Sequence, residues 1–415
     1  MRFQVRKLVR RTLLAVAVIL SLLSAASFIL PTLIRVNDIG VTLGFYFTQN
    51  KLLGVALSFG VLLAAFLIKW KDRGRFRLGD FKIETMTLVV VLVLPVVSSF
   101  LISRAIPFIS LDNPVFTSAD NAVLRDSDFV MGISLNGASR AYPLTMLAWH
   151  HIVNNEVNGK PMGMTYCPIC NTAIAFESEV EGNVLQFDVV TNYRANLVMV
   201  DRQTGSWWQQ LTGKAIQGQL SGTALKLIPV DLMTWGAWKK LYPDTRVLSR
   251  DTGFNHNYDL FPSGGSYTDW QKSDRIFHPL MKITDTRFRA RETVLGVQVG
   301  DVFKAYPFSN LGELAVINDE INGEPVLILF DSKSQIASAF SRKVSENILT
   351  LEEITEGGEV LVRDKNTGSV WDFEGRPIAD ETEGTKLERL KYHNAFWFAW
   401  ADFHPDTLVY GDHQF

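Results

Sequence analysis

Only two cysteines occur in the chain, Cys167 and Cys170, and they fall together in the run Cys167-Pro168-Ile169-Cys170. A Cys-x-x-Cys pair supports three chemistries. Two thiols at this spacing cycle between dithiol and disulfide, and a proline between them is familiar from thioredoxin-like motifs. The same thiolates suit a soft metal, copper(I) or zinc(II). The third account is an inert disulfide in an oxidising compartment, closing so short a loop that it stabilises by only about 2 kcal/mol. His150 and His151 stand upstream as ligands or proton-transfer partners, His150 first. A closed zinc site wants four ligands, and adjacent helical residues point apart by about 100°, which makes joint use of both imidazoles awkward. The competing account of His150 is a helix histidine at the rim of the core. Haem attachment in its usual form is excluded, because Asn171 stands where histidine is required.

The scaffold that positions these residues contains itself twice. Residues 130–176 align without a gap on 294–340. Ala141-Tyr142-Pro143 matches Ala305-Tyr306-Pro307, and Asn154 to Gly159 match Asn318 to Gly323. Further on, Asp201, Thr204, Gly205 and Trp208 match Asp364, Thr367, Gly368 and Trp371, while Trp235, Trp238 and Pro243 match Trp397, Trp400 and Pro405. A repeat of this length is a domain copy, since solenoid units run only about 20–50 residues. In the first copy the pattern predicts a hairpin over 129–142, a helix over 144–153 and a strand over 162–166, opened by the Asn-Gly turn at 158–159. Strands over 184–191, 197–202 and 206–210 and a closing helix over 233–241 follow.

The duplication also acts as a control. Features in both copies are fold requirements, so Tyr142, Trp208, Trp235 and Trp238 read as core aromatics. Features of one copy are better functional candidates. Cys167 and Cys170 align with Asp331 and Ser334, His150 and His151 with Leu314 and Ala315, and Trp149 with Glu313. The first copy is then live and the second degenerate. Trp149, Tyr166, Asn171, Arg194 and Arg202 are candidate cleft residues around the motif. The linker carries Arg275, Arg287, Arg289 and Arg291, which could cover a cleft between the copies; a plain interdomain loop is the simpler reading.

Upstream, apolar runs over 12–34, 52–68 and 86–102 are each close to the roughly 20 residues that cross a hydrocarbon core. Basic residues Arg2, Arg6, Lys7, Arg10 and Arg11 precede the first run, and Lys69, Lys71, Arg73, Arg75, Arg77 and Lys82 separate the second from the third. Only Arg35 and Lys51 lie between the first and second. Positive charge marks the cytoplasmic side, so the N-terminus is expected inside and everything beyond the third run outside. Cleavage near Ser24-Ala25-Ala26 would leave that conclusion intact. A net charge of −2 gives no pull towards nucleic acid.

The set Ala141-Tyr142-Pro143, His150, Thr165 to Asn171, Leu197-Val198-Met199, Asp201 to Thr204, Trp207 and Leu248 to Gly253 resembles the domain of unknown function 3179 family of bacteria and archaea, across essentially 110–415. The chain departs from that family's pattern at His151, where an acidic residue is usual, and at Asn192-Tyr193-Arg194, where a Ser-Gly-containing strand is usual. The resemblance implies the architecture and brings no established reaction.

The expected chain is thus α+β. A membrane anchor of three helices (1–106) contacts the lipid bilayer through residues 12–106. A strand-rich first repeat (110–249), a linker (250–293) and a degenerate second repeat (294–415) follow, the repeats in pseudo-two-fold arrangement. The expected function is an inner-membrane, multi-pass protein whose periplasmic or extracellular domain holds a thiol redox or copper or zinc centre. A non-catalytic binding or scaffold module using the cleft between the repeats, with an extracytoplasmic protein or small-molecule partner, is the alternative.

Overall fold

The computed structural model describes residues 2–33, 38–73, 81–91, 93, 108–260, 269, 272, 285–378 and 385–412. It divides into two compact units, residues 1–107 with 191–193, and residues 108–190 with 194–415.

The first unit is helical. Helices Arg2–Leu33, Asp38–Gln49 and Lys51–Arg73 are followed by a helix over 82–91. Leu14, Ala17, Leu62, Ala65 and Val91 pack together. Among the described residues one helix, Leu52–Asp72, is long and apolar enough to cross a membrane. Its Leu52, Leu53, Leu57, Phe59 and Leu63 are exposed, as a lipid-facing surface requires. Three such helices were expected, and one is found among the described residues. The first run lies in a helix whose N-terminal third is strongly basic, and most of the third run lies outside the described residues. Helix Asp38–Gln49 fills what hydropathy marks as a plain loop, and at 12 residues it is too short to cross a bilayer. Charged groups from three separate segments gather at one end: Arg6 pairs with Asp72 at 2.9 Å, Lys69 with Glu84 at 2.8 Å, and Arg10 with Glu84 at 3.6 Å.

The second unit is built of antiparallel hairpins, and one strand pattern occurs in it twice. Hairpin Phe129–Leu135/Ala138–Pro143 is flanked by antiparallel Asp231–Thr234 and parallel Arg246–Leu248. Hairpin Thr293–Val299/Val302–Pro307 is flanked in the same order by Lys391–Phe396 and Leu408–Val409. A Cβ on Gly132 would lie 2.2 Å from the Trp238 ring, and one on Gly296 2.0 Å from Trp400, so both glycines are required by ring packing. Trp238 Nε1 donates to Thr245 at 3.0 Å and Trp400 Nε1 to Thr407 at 2.9 Å.

A second sheet in the first copy pairs Leu111–Asp112, Ile152–Val157, Lys160–Cys167, Thr172–Glu177 and Lys226–Ile228. Its counterpart pairs Leu314–Ile321, Glu324–Asp331 and Ile336–Ser341. The Asn-Gly turns that fix the register, Asn158-Gly159 and Asn322-Gly323, carry positive φ at both residues, the conformation this turn demands. Asn154 holds both backbone groups of Phe187, and Asn318 both those of Leu351.

The helix expected over 144–153 is shorter. It spans Leu144–His150 and ends at His151, whose φ of 63° turns the chain directly into strand Ile152–Val157. In the second copy a 3-10 turn, Phe308–Asn310, stands in its place. Each copy's closing strand lies beside the other copy's sheet, Lys391–Phe396 against Thr172–Glu177 and Asp231–Thr234 against Ile336–Ser341. The Phe396 N–H donates to Cys170 O at 2.8 Å, and the Thr234 N–H to Ser334 O at 3.0 Å.

Candidate functional site: a thiol pair at a hairpin tip

Strands Lys160–Cys167 and Thr172–Glu177 pair antiparallel, and Cys167 opposite Thr172 is their last rung. Residues 168–171 close the tip, with Asn171 in the left-handed region at φ 54°. The motif therefore caps a β-hairpin instead of opening a helix, so the thioredoxin arrangement is absent. Both cysteines are free thiols, 2% and 0% exposed.

Cys170 Sγ is embedded in buried amides and hydroxyls. Asn196 Nδ2 donates to it at 2.8 Å, and Thr172 Oγ1 is 3.3 Å away. Asn196 Nδ2 also reaches Gln210 Oε1 at 2.8 Å, while its Oδ1 accepts from Gln209 Nε2 at 2.5 Å and Leu211 N at 3.0 Å. Gln210 Nε2 donates to Thr165 Oγ1 at 3.0 Å and to Thr172 O at 3.1 Å. In this water-excluded setting each polar group depends on the others.

The two thiols are electrostatically unequal. At Cys167 burial opposes ionisation, but the Cys170 thiol and the backbone N–H groups of Cys170, Leu197 and Ile169 outweigh it, and the pKa falls below that of an ordinary thiol. At Cys170 burial and the neighbouring Cys167 raise the pKa well above the ordinary value, against the pull of Thr172 and Asn196. The two sulfurs are thus shifted in opposite directions, Cys167 down and Cys170 up.

The imidazoles are engaged elsewhere. His150 Nδ1 lies 2.7 Å from Ile109 O and Nε2 2.5 Å from Tyr258 OH, against Phe254 and His256. His151 stacks on Phe108 with ring centroids 4.0 Å apart. Burial lowers their pKa values to about 4 and about 3. With both nitrogens of His150 occupied, its expected role as ligand or proton-transfer partner is not what its geometry provides; it ties the helix to the segment around Tyr258. Among the described residues no group of three or more His, Cys, Asp or Glu is arranged to hold a metal. Among those residues the pair offers two sulfurs, half of the four ligands that a closed zinc centre takes.

The cleft candidates disperse. Tyr166 OH donates to Asn171 Oδ1 at 3.2 Å, bracing the tip. Arg194 Nη1 donates to Asp402 O at 3.1 Å, across to the second copy. Trp149 stacks on His256 and donates to Leu260 O at 3.1 Å. Arg202 is tied to Asp188 and Asp112 at 2.7 and 2.8 Å, an ion-pair role rather than a cleft role. Arg275 lies outside the described residues.

Thr165, Thr172, Asn196, Gln209 and Gln210 carry the sulfur's environment, and motif spacing gives no sign of them. The duplication does carry a signal: Thr165, Thr172 and Gln210 align with Leu329, Ile336 and Phe373. Where the second copy is apolar, the first buries polar groups.

Comparison with curated proteins and with solved structures gave no match. A family described as "Protein of unknown function (DUF3179)" matches residues 104–407. That span takes in the thiol tip, its amide network and both glycine–tryptophan packings, and this chain is accordingly a member of the DUF3179 family.

Proposed function

We propose that the chain is a membrane-anchored extracytoplasmic thiol–disulfide redox protein, with Cys167 the attacking sulfur and Cys170 the resolving one. The observation that carries this is the pair of free thiols buried together at one hairpin tip, with Cys170 Sγ held by Asn196 Nδ2 at 2.8 Å; the order of attack follows the directions of their shifts, Cys167 down and Cys170 up. Cys167 thiolate attacks one sulfur of a partner disulfide; that S–S bond breaks, and the released thiolate takes up a proton. Cys170 then loses its proton and displaces the partner from the mixed disulfide. The protein's dithiol is oxidised and the partner disulfide reduced to two thiols, with two electrons moved. Because both sulfurs are buried, exchange requires the 168–171 tip to open, and its rate is set by that opening.

The anchor is read with its N-terminus inside. The gathering of Arg6 and Arg10 with Lys69, Asp72 and Glu84 supports this, since it brings the chain start and the basic second loop to one end, as positive-inside orientation demands. The copies are read as related by a pseudo-two-fold, supported by the reciprocal bonds from Phe396 to Cys170 and from Thr234 to Ser334.

The test is a redox titration of the full chain in detergent, in glutathione buffers, with thiol counting and metal analysis beside Cys167→Ser/Cys170→Ser. Reversible loss of both thiols, without stoichiometric metal, is expected. A pair that stays reduced across the whole series, or copper or zinc bound one per chain and lost in the double variant, overturns the reading.

A further inference from the structure

A cleft of about 390 Å³ lies between residues 211–227 of the first copy and the hairpin sheet of the second. That volume is within the roughly 300–1,000 Å³ of small-molecule sites. One wall is aromatic: His404 stacks on Phe303 with centroids 3.9 Å apart, and Trp400 stands 4.4 Å from His404 and 5.3 Å from His393. His393 is 6% exposed, and its buried Nε2 has no hydrogen-bond partner among the described residues. A buried polar atom left unpaired costs about 1–3 kcal/mol, a cost that a ligand's hydrogen bond removes. Lys214 and Lys391 stand in the lining against the single acid Asp301, which leaves the cleft net positive.

The first copy shows that this is not a fold requirement. His393 aligns with Asp231, which is closed off by Arg389 at 2.8 Å and Tyr392 at 2.8 Å. His404 aligns with Tyr242, whose hydroxyl donates to Glu374 at 2.6 Å. The polar atoms that satisfy one another in the first setting are replaced in the second by a cleft-lining imidazole whose buried Nε2 is unpaired among the described residues.

We propose that this cleft binds a planar organic anion, its ring against the Phe303–His404–Trp400 wall and an acceptor oxygen on His393 Nε2, with Lys214 and Lys391 supplying the counter-charge. Burial lowers the His393 pKa to about 3, so the imidazole is a neutral, directional partner and the lysines carry the positive charge. The site is independent of the thiol pair.

The probe is 2-naphthoate, titrated calorimetrically into the full chain in detergent. Saturable one-to-one binding is expected, weakened about ten-fold by Lys214→Glu, by His393→Gln, and by replacing the probe with neutral 2-naphthol, each removing about 1.4 kcal/mol. Lys214 is exposed, so its variant keeps the test valid if the His393 variant misfolds. Absence of saturable naphthoate binding to the wild type overturns the proposal, as does equal affinity in the Lys214 variant or equal affinity for naphthol.

Discussion

The Asn196 carboxamide donates to the sulfur of Cys170 at 2.8 Å, from a strand that shares no hairpin with the cysteines. Through its oxygen the same amide is held by Gln209 and by the backbone of Leu211. The thiol is thus positioned by a network whose members are all buried.

Replacing Asn196 with alanine should therefore cost more than one exposed hydrogen bond. Gln209 Nε2, the Leu211 N–H and Cys170 Sγ would each lose a partner, and an unsatisfied buried group costs about 1–3 kcal/mol. Urea unfolding of Asn196→Ala is expected to show a destabilisation of about 3 kcal/mol, whereas Glu359→Ala, at the aligned exposed position, should change stability by less than about 0.5 kcal/mol.

His150 gives a contrasting expectation. Its nitrogens face Ile109 and Tyr258, so His150→Ala should lower stability while leaving the dithiol–disulfide equilibrium within about two-fold, under 0.5 kcal/mol, of wild type. A large shift in that equilibrium would return the imidazole to the thiol site.

The two glycine–tryptophan contacts predict matched defects. Gly132→Ala and Gly296→Ala each place a methyl group inside a buried indole, and overpacking of this kind costs about 1–3 kcal/mol or more. Gly60→Ala, where nothing lies within 4 Å, should be tolerated. Thermal melts of the three variants distinguish a requirement shared by both copies from a general intolerance of substitution.

Acid should destabilise the second unit before its carboxylates are neutralised. His151 and His393 have folded pKa values depressed to about 3, and His150 and His404 to about 4, with burial the first cause in each. Between the unfolded value near 6.5 and these folded values, the unfolded chain binds more protons. Stability is therefore full above about pH 7 and lost as pH falls from 6.5 towards 4, by up to about 1.4 kcal/mol per pH unit for each fully buried imidazole. Denaturant midpoints measured across that range check this; a flat profile would mean that the imidazoles are hydrated.

Several elements were legible in the sequence because local chemistry dictates them. The Asn-Gly turns fix two hairpins, and the duplication of 130–176 in 294–340 marks the sheets that recur. The short helix ending at His151 was harder, since apolar residues continue through Ile152 and Val153 while the chain has already become a strand. The cysteines stood out by type, and their asymmetry did not: it depends on how the Cys170 thiol and the backbone groups of Cys170, Leu197 and Ile169 meet Cys167 in the folded tip, which motif spacing does not encode. The surroundings of the histidines were not legible, because adjacency in sequence to a strand that leads to cysteine says nothing about which way an imidazole turns, and Tyr258 lies over a hundred residues from His150.

The most direct test is the pH dependence of alkylation of the reduced wild-type protein, in which both sulfurs stay in place and the modified one is located by peptide mass analysis. The rate at Cys167 should level off below the pH at which an ordinary thiol, near 8.5, does so, while the rate at Cys170 should still be rising there. Equal profiles, or the reverse order, would contradict the assignment of Cys167 as the attacking sulfur.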